Sequence, residues 1–168
     1  MSPQRSPGYA RPRARASWYA GTFTCGEIGI EPADALAPAG TLAEAARRMA
    51  GSQAGFLPVC EEGRVRGAVY LDDLLRALGE GADALNTPVA TVESRLIPTV
   101  TCDTLLADAV RLMTASYLRR VPLVEQGGRL LGFVTLSEAA ALADRDPAVR
   151  EAFEQLSLSP SLWARRFR

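Results

Sequence analysis

Few residues in this chain could do chemistry, and the missing types exclude more than the present ones allow. The 168 residues contain no histidine. That removes the commonest general base and the commonest metal ligand. The three cysteines, Cys25, Cys60 and Cys102, are odd in number, widely spaced and include no Cys-x-x-Cys pair. They indicate neither a disulfide framework nor a zinc site, and read as buried reduced thiols. No Ser/His or Cys/His constellation can be assembled, and a carboxylate pair alone is poor evidence of catalysis. What remains is Arg119-Arg120 before one apolar run, Thr135 and Glu138 after the next, and Asp72-Asp73 at a similar earlier place. Each also has an ordinary explanation. Acids are favoured in the first turn of a helix by its dipole, and most surface arginine pairs are simply solvated.

The elements that hold these residues form one recurring pattern. Residues 121–124 are a short apolar run, Gln126-Gly127-Gly128 supplies the positive φ values of a hairpin turn, and residues 130–134 are a second run. Ser137-Glu138-Ala139-Ala140-Ala141-Leu142 then switches to helix formers. Gly132 stands inside the second run, where a glycine marks close approach to the backbone or close helix–sheet packing. The same order of parts runs from Leu57-Pro58-Val59 through Gly63 and Gly67 to Asp72-Asp73. Pro58 and Pro122 are 64 residues apart, as are Met49 and Met113, while Gly67 and Gly132 are 65 apart. The second turn therefore carries one extra residue, and the chain reads as an internal duplication.

The rest of the chain fits around that duplication. Residues 1–26 hold four arginines and no acid, rich in Pro, Ser and Ala, and read as a basic arm, disordered or docked, that Trp18, Tyr19 and Phe23 could pin. Repeat 1 is expected over 27–82 and repeat 2 over 83–145, with a C-terminal helix and basic tail over 146–168. Thr41-Leu42-Ala43-Glu44 is a capping box. The stripe Leu42, Ala45, Ala46, Met49 follows it, and Gly51 is expected to end that helix. A short strand is expected at 35–37, strands at 56–60 and 64–70, and a helix at 71–78. In the second half, residues 97–101 read as a short strand and Asp103 or Thr104 as a helix cap. Leu106, Ala109, Val110 and Met113 make the matching stripe, and the last helix of the repeat ends near Ala143. Asp146-Pro147 opens a final helix with Val149, Phe153 and Leu156 on one face.

Composition bounds the class. About half the residues are apolar (48%), enough for a packed core. No run of eighteen apolar residues predicts a membrane helix, and the basic N-terminus lacks the apolar segment of a secretory signal. Net charge is zero, with 19 arginines, no lysine and 19 acids. A base-composition bias explains the missing lysine better than selection for guanidinium chemistry. Arginines in tails without interleaved structure are weak evidence for nucleic acid, so neither nucleic acid nor membrane is an expected partner.

Each repeat is strand, helix, strand, strand, helix. That order, with its Pro-Val strand and its Gly-containing strand running into a helix, resembles the CBS domain (cystathionine-β-synthase type). Two in tandem resemble a CBS pair, or Bateman module. The resemblance spans roughly residues 30–143. It implies an α/β (α+β) fold in which two repeats pack through their sheets around a pseudo-twofold axis. It implies clefts that take adenosyl ligands such as AMP, ATP or S-adenosylmethionine, and pairs that dimerise through their helices.

The family's ligand signature is Gly, apolar, any residue, Thr or Ser, two of any kind, then Asp or Asn. Here the first repeat reads Gly67-Ala68-Val69-Tyr70-Leu71-Asp72-Asp73, keeping the ribose acid Asp73 but placing Tyr70 at the hydroxyl position. The second reads Gly132-Phe133-Val134-Thr135-Leu136-Ser137-Glu138, keeping Thr135 but placing Glu138 where the family has Asp. Arg119 and Arg120 match the basic pair that faces phosphate in nucleotide-binding members, and such charge-assisted bonds are worth on the order of 1.5–3 kcal/mol each. The resemblance therefore implies that Arg119, Arg120, Thr135, Glu138 and Gly132, walled by Ile97, Pro98 and Thr99, form the better nucleotide cleft. Asp73 and Gly67 would serve a neutral adenosine-like ligand in the first cleft. The expectation is a non-enzymatic, cytoplasmic, homodimeric sensor that regulates a protein partner and needs no covalent cofactor. The alternative is a ligand-free CBS-fold interaction module.

Overall fold

Two hairpins that meet at their turns form the centre of the computed structural model. The structure describes residues 23–28, 31, 33–52, 55–94 and 97–157. The expectations for residues 1–22 and 159–168, with Trp18, Tyr19 and Trp163, lie outside the described residues, as does the side chain of Leu156. The first hairpin pairs β1 (Phe56–Glu61) with β2 (Arg64–Tyr70), and the second pairs β3 (Arg120–Val124) with β4 (Leu130–Thr135). Glu62 (φ 51°) and Gly63 (φ 77°) turn the first, Gly127 (φ 95°) and Gly128 (φ 84°) the second. These are the left-handed conformations that a tight antiparallel turn requires. The turns join each other: Val65 N donates to Gly128 O at 2.9 Å and Leu130 N to Gly63 O at 3.0 Å.

Each hairpin gains a third, parallel partner by a single bridge, Leu36 on Val59 and Val100 on Leu123. The expected short strands are thus present only as these contacts. Each repeat also lends its approach segment to the other's outer strand. Glu31 bridges Phe133 on β4, and Ser94 bridges Ala68 on β2. This mutual exchange is how the two halves interlock. Phe56 and Ala68 from one repeat and Phe133 from the other form a small shared core, with Tyr70, Ile97 and Leu118 against it.

The helices close the outer layer. In α1 (Leu42–Ser52), Thr41 Oγ1 accepts from Glu44 N at 3.2 Å, and Leu42, Ala45 and Met49 are buried. The helix runs through Gly51, one residue past its expected end. The stripe of α3 (Leu106–Ala115) is buried as expected at Leu106, Ala109, Val110 and Met113. Its expected cap is not used. Leu105 precedes the helix without a side-chain cap, because Thr104 Oγ1 accepts from Thr101 N at 3.0 Å and closes the preceding turn. Leu106 N finds Phe23 O at 2.8 Å instead, so the segment from Phe23 supplies the cap from its backbone.

α2 (Leu71–Gly79) follows β2 directly, as α4 (Leu136–Ala140) follows β4. α4 stops at Ala140 rather than near Ala143, since the chain turns through 141–145 to reach the next cap. That cap is Asp146. Its Oδ1 accepts from Ala148 N (3.0 Å) and Val149 N (3.3 Å), and its Oδ2 from Phe23 N (2.7 Å). α5 (Pro147–Ser157) then packs on α3 and α4, burying Val149 and Ala152.

Candidate functional site

At the helix-side end of the second hairpin, Arg120 pairs directly across the ladder with Thr135. The Arg120 side chain is only 12% exposed. Its guanidinium carbon lies 4.6 Å from the Phe133 ring centroid and 5.9 Å from that of Phe56. A planar cation over aromatic faces is favourable and loses little hydration. Its Nη1 donates to Glu31 Oε1 at 2.9 Å, and among the described residues its buried Nη2 has no hydrogen-bond partner. Glu31 is held by its backbone: Glu31 N donates to Phe133 O (3.2 Å) and Phe133 N to Glu31 O (3.0 Å).

Thr135 and Glu138 are engaged with each other. Thr135 Oγ1 accepts from Glu138 N at 3.1 Å and donates to Glu138 Oε2 at 2.9 Å, while Thr135 N also donates to that oxygen at 3.1 Å. This is a reciprocal capping box, in which both side chains satisfy backbone donors at a helix start. Arg119 is exposed, and its carbonyl accepts from Leu136 N. Ile97 joins Arg120 at the shared core between the repeats, whereas Pro98 is half-buried beside it in sequence and Thr99 is exposed. Gly132 is buried in β4 opposite Leu123, and Gly67 in β2 opposite Val59. The structure thus brings Arg120, Thr135, Glu138 and Ile97 towards one place and leaves Arg119 and Thr99 at the surface.

The first repeat builds the corresponding place differently. Phe56 pairs with Tyr70 across the ladder, ring centroids 5.7 Å apart. Burial, and next the charge of Asp73, push the Tyr70 phenol above its usual range. Asp73 lies 3.7 Å from Arg76 on the next turn of α2. It lines an open depression of about 260 Å³ with Arg76, Glu80 and Glu93. Another, of about 300 Å³, lies at the first hairpin turn beside Glu61, Arg64 and Arg66. Arg120 lines neither, because Phe56, Phe133 and Glu31 close around it.

Sequence reasoning missed three groups. Glu31 sits in a stretch with no apolar period, 89 residues from its partner. Glu93, 3% exposed, takes an ion pair from Arg66 Nε at 2.8 Å, and nothing in the connecting segment marks it as buried. Phe133 reads as an ordinary strand residue, since its contact with Phe56 joins residues far apart in the chain. All three cysteines are free thiols, but only Cys25 is buried as expected; Cys60 and Cys102 are half-buried. Burial pushes Cys25 up to about 12 and Cys60 up to about 11.

Comparison with known proteins agrees with this architecture. The family model for the CBS domain matches residues 25–80 and again 86–144. The CBS domain-containing protein YhcV of Bacillus subtilis is 35% identical over 106 residues, 62% of this chain and 74% of that protein. The structure superposes on CBSX2 solved with AMP at a TM-score of 0.60 and 22% identity, covering 73% of this chain and 97% of the other. It also superposes on the cytosolic domain of the Mg2+ channel MgtE solved with ATP, at 0.59 and 26% identity, covering 71% of this chain and 48% of that one. Duplicated hairpins, exchanged edge segments and two family matches lead to one assignment: the chain belongs to the CBS domain family and carries two CBS repeats in tandem.

Proposed function

We propose that this protein is a regulatory, non-enzymatic module that binds an adenosyl ligand between its two repeats and conveys occupancy to a protein partner. The observation that carries the reading is the position of Arg120, a guanidinium buried between the repeats, directly opposite Thr135 and stacked on Phe133. A cation so placed is suited to a phosphate, and the neighbour solved with ATP supports a nucleotide as its source. The sequence, with no histidine, supports binding rather than catalysis, and its thiols are compatible with a cytoplasmic setting. Arg120 is the principal phosphate ligand in this reading. Arg119 adds charge from the rim, Thr135 and Glu138 lie at the ribose side, Gly132 allows close approach, and Ile97, Pro98 and Thr99 wall the base. Asp73 and Gly67 belong to the first cleft, which lacks a cation at the position of Phe56.

The test is calorimetric titration with ATP, AMP, S-adenosylmethionine and adenosine. Arg120→Ala should weaken ATP or AMP at least tenfold and adenosine little, while Asp73→Ala leaves ATP nearly unchanged. If Asp73→Ala abolishes ATP binding and Arg120→Ala does not, the cleft assignment is wrong.

A second reading is a ligand-free dimerisation module. It is favoured by Leu71, Leu75 and Leu78 on α2, which are 42, 58 and 39% exposed. Contiguous exposed leucines mark interfaces, and closed twofold association is the commonest outcome. A monomeric mass at all concentrations, together with no thermal shift from any of the four ligands, would leave neither reading standing.

A further inference from the structure

We propose that Glu31 is an internal anion that holds the place of a ligand phosphate on Arg120, and so sets both the affinity and the phosphate selectivity of the second cleft. The proposal rests on the reading of that cleft as a nucleotide site and adds its gate. A phosphorylated ligand binds by exchange: its phosphate takes Arg120 as the Glu31 side chain rotates away.

Four observations lead to it. First, Arg120 is underused. A guanidinium offers five N–H donors in a planar fork, yet among the described residues its one hydrogen bond runs from Nη1 to Glu31, and Nη2 is buried without a hydrogen-bond partner there. An anion with three oxygens satisfies more of that fork than one carboxylate oxygen does. Second, the pair is asymmetric in access. Arg120 is 12% exposed and Glu31 is 42% exposed, so the anion is the replaceable member and the cation is fixed. Third, the exchange requires no strand to separate. Glu31 is anchored by two backbone bonds to Phe133, and these are untouched when its side chain alone turns. Fourth, the pair occurs at one of two equivalent places. In the first repeat the position of Arg120 is Phe56, and the residue bridged to the outer strand is Ser94 rather than a glutamate. Carboxylate and guanidinium occur together, and only where the cation needs a counter-charge.

The charges decide the direction of exchange. A carboxylate brings one negative charge, a terminal phosphate about 1.5 to 2. Phosphorylated ligands therefore outcompete Glu31, whereas adenosine has nothing to exchange and leaves the pair closed. Glu31 thus rejects weak or mono-anionic competitors.

The test compares the wild-type chain with Glu31→Gln and with Glu31→Ser, the residue of the equivalent place, each titrated with ATP, AMP, adenosine and inorganic pyrophosphate. Both variants should bind ATP and pyrophosphate on the order of tenfold more tightly, with adenosine changed less than twofold. Both should also melt lower than wild type without ligand and regain the difference with pyrophosphate, because an uncompensated buried cation regains its counter-charge. If Arg120→Ala weakens ATP but neither Glu31 variant strengthens it, Glu31 is only a structural partner and the proposal falls while the cleft reading survives. If neither wild type nor the Glu31 variants bind ATP or pyrophosphate, cleft reading and gate fall together.

Discussion

At the last pair of each hairpin, the first repeat sets Phe56 opposite Tyr70 and the second sets Arg120 opposite Thr135. The backbone is the same and the chemistry is opposite. In the first repeat, two rings pack together and extend the shared core. In the second, one ring position has become a cation that lies on the aromatic residues and draws Glu31 in as its counter-charge. The outer faces diverge the other way. Leu71, Leu75 and Leu78 of α2 stand at positions equivalent to Leu136, Ala140 and Ala143, so at the last two of these positions the first repeat presents long apolar side chains where the second presents short ones. α5 packs over α3 and α4 and takes Leu136 and Ala143 into its own core. The second repeat therefore satisfies its outer face from within the chain and diversifies its inner end. The first does the reverse.

The largest effect is expected where the repeats join. Phe133 is fully buried in the shared core, and its equivalent in the first repeat is Ala68. Phe133→Ala should cost about 3–5 kcal/mol in denaturant unfolding, from lost burial and a residual cavity. A loss under about 1 kcal/mol would mean that the repeats share no working core.

The outer faces come next. Leu75→Asp should raise the dissociation constant of the dimer proposed on this face by at least roughly tenfold, since burying one leucine is worth about 1.5–3 kcal/mol and a buried unpaired charge adds to the loss. Ala140→Asp should leave it within about threefold. Sedimentation over a concentration series measures both. Equal effects would show that the two outer faces are used alike. An effect of Ala140→Asp alone would place contact on the second repeat.

Much of this comparison was legible in the sequence, for identifiable reasons. Met49 and Met113, with their stripes, announce α1 and α3 because a 3.6-residue apolar period has few other causes. Gly63, Gly127 and Gly128 announce the turns because positive φ selects glycine. Asp146-Pro147 announced α5. The destination of α5 was not legible, since an amphipathic stripe states that a face is buried and not against what. Thr104 misled because a hydroxyl can close a turn as readily as cap a helix. Glu31 was illegible for a deeper reason. Its role depends on an edge pairing between residues about a hundred positions apart, and no local pattern encodes that.

Alkali should separate two thiols of otherwise similar chemistry. Cys25, wholly buried in the second-repeat core, is pushed up to about 12 by burial first, then by Cys102 and Asp108. Its unfolded value is close to 9. Between these values the folded chain holds a proton that the unfolded chain has lost. Stability is full below pH 9 and falls as pH rises towards 12. With no lysine in the chain, the other side chains of that window are the four tyrosines and the two remaining cysteines, so the contrast between cysteine variants isolates the thiol. A loss on the order of 1–2 kcal/mol is expected between pH 9 and 11. Cys25→Ala should reduce that slope more than Cys60→Ala does, because Cys60 is pushed only to about 11. Equal slopes in the two variants would remove burial as the cause.

The smallest effect concerns the helix starts. Thr135 forms a full capping box with Glu138, whereas Tyr70, its equivalent before α2, makes no side-chain cap bond. Yet α2 runs nine residues and α4 only five. Cap strength therefore does not set helix length here. Leu74 and Ala77 bury the inner face of α2, while the chain leaves α4 early to reach Asp146. It follows that the Thr135 cap stabilises locally and little more. Thr135→Ala should cost about 1 kcal/mol, the usual value of a lost N-cap, and Thr135→Ser only a few tenths, because serine keeps the same oxygen. Thermal unfolding measured in parallel decides between two accounts. If Thr135→Ser is as damaging as Thr135→Ala, the methyl group packing beside Arg120 matters and the hydroxyl does not. If both are silent, Glu138 finds its backbone partners without the threonine, and the capping box contributes nothing that Tyr70 lacks before α2.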